Sequence, residues 1–314
     1  MQTDNAEPEL ELPRAIALAW GVATNPQRGP KRELSIEGIV ETAIDIADAG
    51  GLAAVSMSSV ASRLGFTTMS LYRYVSAKDD LILLMLEHGM GVPPAVANEP
   101  EGWRKRLSTW HASSLACYAA HPWMLDIPIN GIPMTPNNLA WMDSALDALA
   151  DTSLQESQRL AAALAVTGHA RWQAMIERGY RDASTRAGMN GTEFDRLEER
   201  VLGSLATPER FPAVHRVVQA GAIGPDSSLN PFEFGLNAIL DGIQAAMAAR
   251  IVPEHESTRA EPAPAPEAFP KDKAVREASR LRRDAEVRLR EALRHERDAI
   301  AQAREAAERI AKSR

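Results

Sequence analysis

The chain has 314 residues, 45% hydrophobic and 25% charged, with a formal net charge of -7, enough apolar content for two domains with their own cores. Cys117 is the only cysteine, which excludes an internal disulfide and a cysteine zinc cluster. No apolar run approaches the ~18 residues of a membrane span, and Asp4, Glu7, Glu9 and Glu11 stand where a signal peptide needs positive charge, so the expected compartment is the cytoplasm, with no membrane partner.

Residues 1–9 carry no element pattern. Pro13 to Trp20 fits a short helix, with Ile16 and Trp20 four apart. Gln27 to Arg32 then holds Arg28, Lys31 and Arg32 with no acid. Gly29 and Pro30 keep it from being helical. It reads either as a basic arm that follows phosphates through Lys31 and Arg32, or as a solvated linker.

Ser35 to Ala49 predicts a helix with Ile36, Ile39, Val40, Ala43, Ile44 and Ala47 on one face, stopped by Gly50 and Gly51. Ser56 to Val75 predicts two short helices around a tight turn. Met57, Val60, Ala61 and Leu64 share a face, Ser56 is the N-cap, and Gly65 ends the first helix. Leu71 and Val75 pin the second helix. Its remaining residues, Thr68, Met69, Ser70, Tyr72, Arg73 and Tyr74, offer donors, acceptors and a thioether but little to bury. A helix that reads the major groove needs that character; the bland alternative is a helical hairpin with a solvated second helix. Ser76 is expected to open a further helix, with Asp79 as its capping partner and Leu81, Leu84 and Met85 inward.

Over residues 35–90 the chain resembles the tetracycline-repressor family of bacterial regulators. The resemblance rests on Val60-Ala61, Leu64-Gly65, Leu71-Tyr72-Arg73-Tyr74-Val75, Lys78 and Leu81. It implies that Ser58, Thr68, Met69, Ser70, Tyr72 and Tyr74 face double-stranded operator DNA, and that Lys78 holds a phosphate. Many members carry Arg or Lys where Ser58 and Thr68 stand here. The resemblance also implies a small ligand in the second domain and a dimer built from the last two long helices.

Gly91 to Gly102, with Pro93, Pro94 and Pro100, marks a domain boundary. Trp103 to Ala120 predicts a helix that His121-Pro122 ends. Trp123 to Pro136 reads as a loop whose Met124, Leu125, Ile127, Ile129 and Ile132 are apolar enough to be buried. A helix over Asn137 to Leu149 follows, then a long one over Ser157 to Gly179, apolar nearly all round between Leu160 and Ala170 and so expected to be covered on more than one side. Short helices are expected near 193–204 and 212–220. The last core helix starts at Asn230-Pro231, with Glu233 as capping partner, and runs to Arg250. It has a bulky stripe, Phe232, Leu236, Ile239, Leu240, Ile243 and Met247, beside a small one, Gly235, Ala238, Gly242, Ala245 and Ala249. The small stripe is expected to face a second copy in a four-helix bundle; packing of both stripes within one chain is the alternative. Pro253 to Pro270 is a Pro/Ala/Glu linker. Residues 271–314 hold fourteen Lys or Arg against nine Asp or Glu, net +5, leaving -12 for residues 1–270. That tail reads as an exposed charged helix, with nonspecific DNA affinity or contact with the acidic body as the alternatives.

The expected fold is therefore all-α. A flexible arm (1–32) leads to a three-helix helix-turn-helix head (33–90), then an effector-binding and dimerisation domain (103–250), a linker (253–270) and a charged helical tail (271–314). Trp110, His111, Ser114, Cys117, Trp141, His169, Trp172 and Met175 mix wide apolar contact with polar anchors, as a ligand pocket does; plain core is the competing reading of each. No phosphate loop, nucleophile elbow or Cys-x-x-Cys appears, and Ala299 stands where the His295-Glu296 pair would need a second histidine for a zinc protease. An enzyme, a cofactor or a resident metal is not expected. A DNA-bending protein would want a basic body, and this one is acidic. The reading is an effector-responsive regulator, more a repressor than an activator, that binds a near-palindromic operator as a homodimer.

Overall fold

The computed structural model describes residues 12–22, 34–96, 102–129, 131, 134–248 and 272–282, with 284, 285, 288, 291, 292, 295 and 299 beyond. Lys31, Arg32, Ala249 and the linker lie outside the described residues. Among those described there are helices and turns and no strand. The chain forms two units, residues 1–250 and 251–314. In the second, residues 273–282 are helical with mostly exposed side chains, and Asp272 Oδ1 accepts from the Val275 N–H at 2.9 Å to start the helix.

The first unit begins with α1 (Arg14–Ala19) and α2 (Ile36–Gly50). Ser35 caps α2 by accepting from Gly38 N–H at 3.0 Å, and the predicted apolar face buries Ile39, Val40, Ala43, Ile44 and Ala47. Then come α3 (Met57–Leu64), α4 (Thr68–Tyr72) and α5 (Lys78–Met90). The start of α5 departs from expectation. Its N-cap is Ala77, with no side-chain cap; Ser76 lies one residue too early to reach the first turn. Asp79 and Asp80 still place negative charge there, where the helix dipole favours it.

The body holds α6 (Trp103–Ala120), a 3-10 turn (Pro122–Asp126), α7 (Pro136–Asp147), α8 (Glu156–Arg186), α9 (Gly191–Leu205), α10 (Pro212–Gln219) and α11 (Pro231–Ala248). Helix α8 runs seven residues past its predicted end at Gly179. A helical glycine costs only about 1 kcal/mol relative to alanine, and the real stop is Gly188 at φ +66°. There Met189 N–H reaches Ser184 O and Gly188 N–H reaches Thr185 O, both at 3.0 Å, the paired bonds of a left-handed helix end. In the stretch predicted to be covered all round, Ala162, Ala163, Val166 and Ala170 are buried while Leu160 and Leu164 are exposed within this chain.

Two cores result. One gathers Ile39, Val60, Leu71, Val75, Leu81 and Met85 of the head and continues into Trp123, Met124 and Leu125 of the body. The first part of the apolar loop is thus buried, as expected, against the head, but the expectation fails at Ile129, which is 74% exposed, and Ile132 lies outside the described residues. The other joins Trp110, Trp141, Val166, Leu240 and Ile243 of α6, α7, α8 and α11 with Leu149 of the turn after α7.

Candidate DNA interface and sensor body

The helix-turn-helix is set by local hydrogen bonds. Ser59 N–H donates to Ser56 Oγ at 3.0 Å and Ser56 N–H to Ser59 Oγ at 2.9 Å, a reciprocal cap. Gly65 takes the left-handed conformation, φ +76°, and Phe66 N–H returns to Ala61 O at 2.9 Å. Thr67 then caps α4 through Ser70 N–H. Leu71 and Val75 are fully buried, so α4 is fixed by one side. Its opposite side leaves Met69 73% and Tyr72 46% exposed, with Ser58, Thr68 and Lys78 also open. Ser70 and Tyr74 are more constrained. The Ser70 hydroxyl is shared with Thr67 Oγ1 at 2.9 Å, and Tyr74 packs on the head core. Sequence reasoning passed over Thr67, although Thr67 and Ser70 repeat the spacing of Ser56 and Ser59. It also passed over Phe66, exposed beside the turn.

Two ties join this unit to the body. The first is at the end of α5, whose last carbonyls have no partner inside the helix. Trp141 Nε1 donates to Met90 O at 3.1 Å and Gly91 O at 3.0 Å. Asn137 donates its side-chain N–H to Glu87 O at 2.9 Å, and its backbone N–H to the Glu87 carboxylate at 2.8 Å. Cys117 Sγ faces Met90 O at 3.7 Å. A Cβ on Gly89 would lie 2.5 Å from Met124 Cε and 3.4 Å from the Trp123 ring, so α5 passes close to the 3-10 turn there and a larger residue would have to displace the Met124 side chain. The second tie is Asp48, near the end of α2. Its carboxylate accepts from Trp123 Nε1 at 2.7 Å and meets His121 Nδ1 at 2.9 Å. The same 3-10 turn is held from α8. Arg171 donates to Leu125 O and Ile127 O at 3.0 and 2.7 Å; Arg178 donates to Pro122 O and Asp126 Oδ1 at 2.8 and 2.7 Å.

The eight predicted effector residues fall into three places. Trp110, His111, Ser114 and Trp141 are packed core, each 3–4% exposed. Trp110 Nε1 donates to Trp141 O at 3.0 Å, and the Ser114 hydroxyl is used by Trp110 O of its own helix at 3.0 Å. Cys117 and the Trp141 indole serve the α5 tie. Trp172 and Met175 lie on the outer side of α8, about half exposed, while His169 turns inward between α6 and α11. His111 Nε2 and His169 Nδ1 share a hydrogen bond at 3.0 Å. Burial, and second the charge on His169, lower the His111 pKa to about 4. Burial lowers His169 too, opposed by the Phe232 backbone carbonyl. The pair is therefore neutral near pH 7, one ring nitrogen donating to the other's lone pair. None of the eight lines the broad groove of about 1160 Å³ that opens between α8, α9 and the start of α11.

Comparison with known proteins decides what this arrangement belongs to. Residues 39–85 match the model of the bacterial regulatory proteins of the tetR family, and residues 95–247 match the tetracyclin repressor-like C-terminal domain. The HTH-type transcriptional repressor DrrR1 of Streptomyces coeruleorubidus is 32% identical over 241 residues, 76% of this chain and 88% of that protein. The chain belongs to the tetracycline-repressor family. An HTH-type transcriptional regulator of Saccharopolyspora erythraea is 28% identical over 60% of this chain and 79% of its own length. The TetR family protein ActR of Streptomyces coelicolor, solved in complex with actinorhodin, superposes with a TM-score of 0.56 at 26% identity, covering 68% of this chain and 99% of that one. The all-α fold with an N-terminal helix-turn-helix is thus that of a DNA-binding transcriptional regulator of a ligand-responsive family. Among the described residues no helix is long and apolar enough to cross a membrane.

Within this family member the two stripes of α11 separate. Leu240 and Ile243 are buried and Leu236, Ile239 and Met247 half-buried within the chain, whereas Ala238, Gly242 and Ala245 are exposed. A Cβ on Gly242 would meet nothing within 4 Å. Gly235 differs from the rest of its stripe: its Cβ would lie 2.9 Å from His169 Nε2, so it faces α8 of its own chain.

Proposed function

We propose that the protein is a cytoplasmic, non-enzymatic, effector-responsive repressor. It binds a near-palindromic operator as a homodimer and releases it when a small molecule enters the body. The observation that carries this reading is the double tie between the body and the helix-turn-helix, at the end of α5 and at Asp48. Any shift of α8 against the 3-10 turn is passed to α2 and α5, and so to the distance between two recognition helices. The names of the relatives agree with it: DrrR1 is a repressor, and ActR was solved with actinorhodin.

In this reading Ser58, Thr68, Met69 and Tyr72 meet base edges, Ser70 and Tyr74 shape the helix that carries them, and Lys78 with Lys31 and Arg32 meets phosphates. The second copy packs on Leu160 and Leu164 of α8 and on Ala238, Gly242 and Ala245 of α11, the face left open in one chain, with Ala249 as the next small residue of that stripe in the sequence. Trp172 and Met175 form the outer end of the sensor, with His169, Trp110, His111 and Ser114 behind them.

Band shifts with DNA from upstream of the protein's own gene test the DNA side. Tyr72→Ala should weaken specific binding by about 1–3 kcal/mol without changing the dimer. Lys78→Ala should reduce the slope of log K against log salt by about 1. Unchanged affinity and slope in both variants would remove α4 and α5 from the interface.

A further inference from the structure

The groove between α8 and α9 has a composition that selects its occupant. Tyr180 of α8 and Phe194 of α9 meet edge to face in its wall, centroids 6.4 Å apart, and Phe232 at the start of α11 adds a third ring to the lining. Glu177, Asp195 and Glu198 share the lining, and among the described residues no Lys, Arg or His does. Helix α9 has no fully buried side chain, and Val201 and Leu205, on the groove side, remain 48% and 55% exposed. An apolar wall of that size is completed only when something covers it.

We propose that this groove binds an amphipathic organic cation, its flat apolar body against Tyr180, Phe194 and Phe232 and its protonated amine toward Asp195 and Glu198. The charge follows from the lining. A neutral apolar guest would strip water from carboxylates and give nothing back, whereas a cation replaces that water with an opposite charge, and the aromatic faces add cation–π attraction. Burial first, then the Glu198 and Asp195 carboxylates, raise the Tyr180 pKa, so the phenol stays neutral and adds no further negative charge. The size fits as well: about 1160 Å³ accommodates a guest of several fused rings.

The site also has a route to the head. Phe232 meets Trp172 edge-on at 5.2 Å, Trp172 meets His169 at 6.1 Å, and His169 is hydrogen-bonded to His111 of α6. A guest that draws α9 onto α8 therefore bears on the helix whose Arg171 and Arg178 hold the 3-10 turn beneath the head. This consequence rests on the sensor reading above; the binding site does not.

Fluorescence polarisation on the full-length protein tests it. Rhodamine 6G is a flat organic cation, and fluorescein is an anion on the same ring system. Saturable rhodamine 6G binding is expected, with fluorescein at least tenfold weaker. Asp195→Asn with Glu198→Gln should lower rhodamine affinity about tenfold or more, and Phe194→Ala should lower it several-fold, with melting temperatures as the check on folding; the two single amide variants serve if the double variant does not fold. Equal binding of fluorescein overturns the proposal. So does wild-type rhodamine affinity in the amide variants, or failure of both rhodamine 6G and ethidium to bind. Dye binding only after dilution to monomers also overturns it and assigns the groove to a second copy. Operator affinity measured alongside separates the two readings. Carboxylate-dependent dye binding with no change in operator affinity upholds the site and sinks the sensor reading. Operator release by an uncharged molecule, unaltered in the amide variants, does the reverse.

Discussion

Helices α3 and α9 begin in the same way and end in opposite environments. Each opens with a reciprocal cap, Ser56 with Ser59 and Asn190 with Glu193. Each carries a clear apolar face. Yet three of the eight residues of α3 are buried, and none of the fifteen of α9. A cap and a stripe make a helix; what the stripe meets decides whether it is scaffold or surface. In the head the stripe meets α2 and α4, and the result is a closed core. In α9 it meets an open groove, leaving that helix the freer of the two to move.

Paired truncations sharpen this contrast most. Leu71→Ala, at a fully buried position, should cost about 2–5 kcal/mol. Leu202→Ala on α9 should cost under about 1 kcal/mol, because its site is already partly open. Chemical denaturation of both variants checks the ratio; equal losses would mean that α9 is covered in solution.

Next in size is a pH effect from the His111–His169 pair. His111 has a folded pKa of about 4 against 6.5, so the unfolded chain binds the proton more readily. Its contribution to stability is full above 6.5 and is lost as pH falls toward 4. By pH 5 the loss is roughly 2 kcal/mol, added to by His169, which is lowered too. The fall in melting temperature between pH 7.5 and pH 5 should shrink in His111→Gln. An equal fall would move the acid sensitivity elsewhere.

Smaller again is Asp48→Ala, which leaves the buried Trp123 N–H without its acceptor and should cost about 1–2 kcal/mol. Its diagnostic effect is on coupling: operator binding should persist while its response to ligand weakens, and Asp48→Asn, which keeps an acceptor, should restore part of that response. Least costly is Asn190→Ala, about 0.5–1 kcal/mol and confined to α9. Hydrogen exchange should quicken over 191–205 and stay unchanged over 57–64.

What was legible in the sequence was mostly local. Ser35, Ser56, Gly65, Leu71 and Asn230 act on neighbours a few residues away, and their spacing placed the corresponding helices. The Ser76 cap failed by one residue, and Gly179 proved a weaker stop than Gly188, because the same residue types serve both helix interiors and ends. The sensor was less readable. Trp110, His111, Ser114 and Trp141 have the residue types of a ligand pocket and the packing of a core, and periodicity does not distinguish an inward side chain with a cavity beside it from one without. Asp48 was missed for another reason. Its partner Trp123 is 75 positions away, and no stripe or cap encodes a contact over that distance.

The packing of Trp123, Met124 and Leu125 into the head core also bears on modularity. A fragment cut after Met90 would lose those three side chains and lay bare the faces of α2 and α5 that cover them. Heads exchanged between relatives at that seam would meet a foreign 3-10 turn, with a different side chain where Met124 lies against Gly89. The transplantable unit is therefore discontinuous: the head together with residues 121–127, a piece of sequence that sits beyond α6 and yet travels with the DNA-reading end.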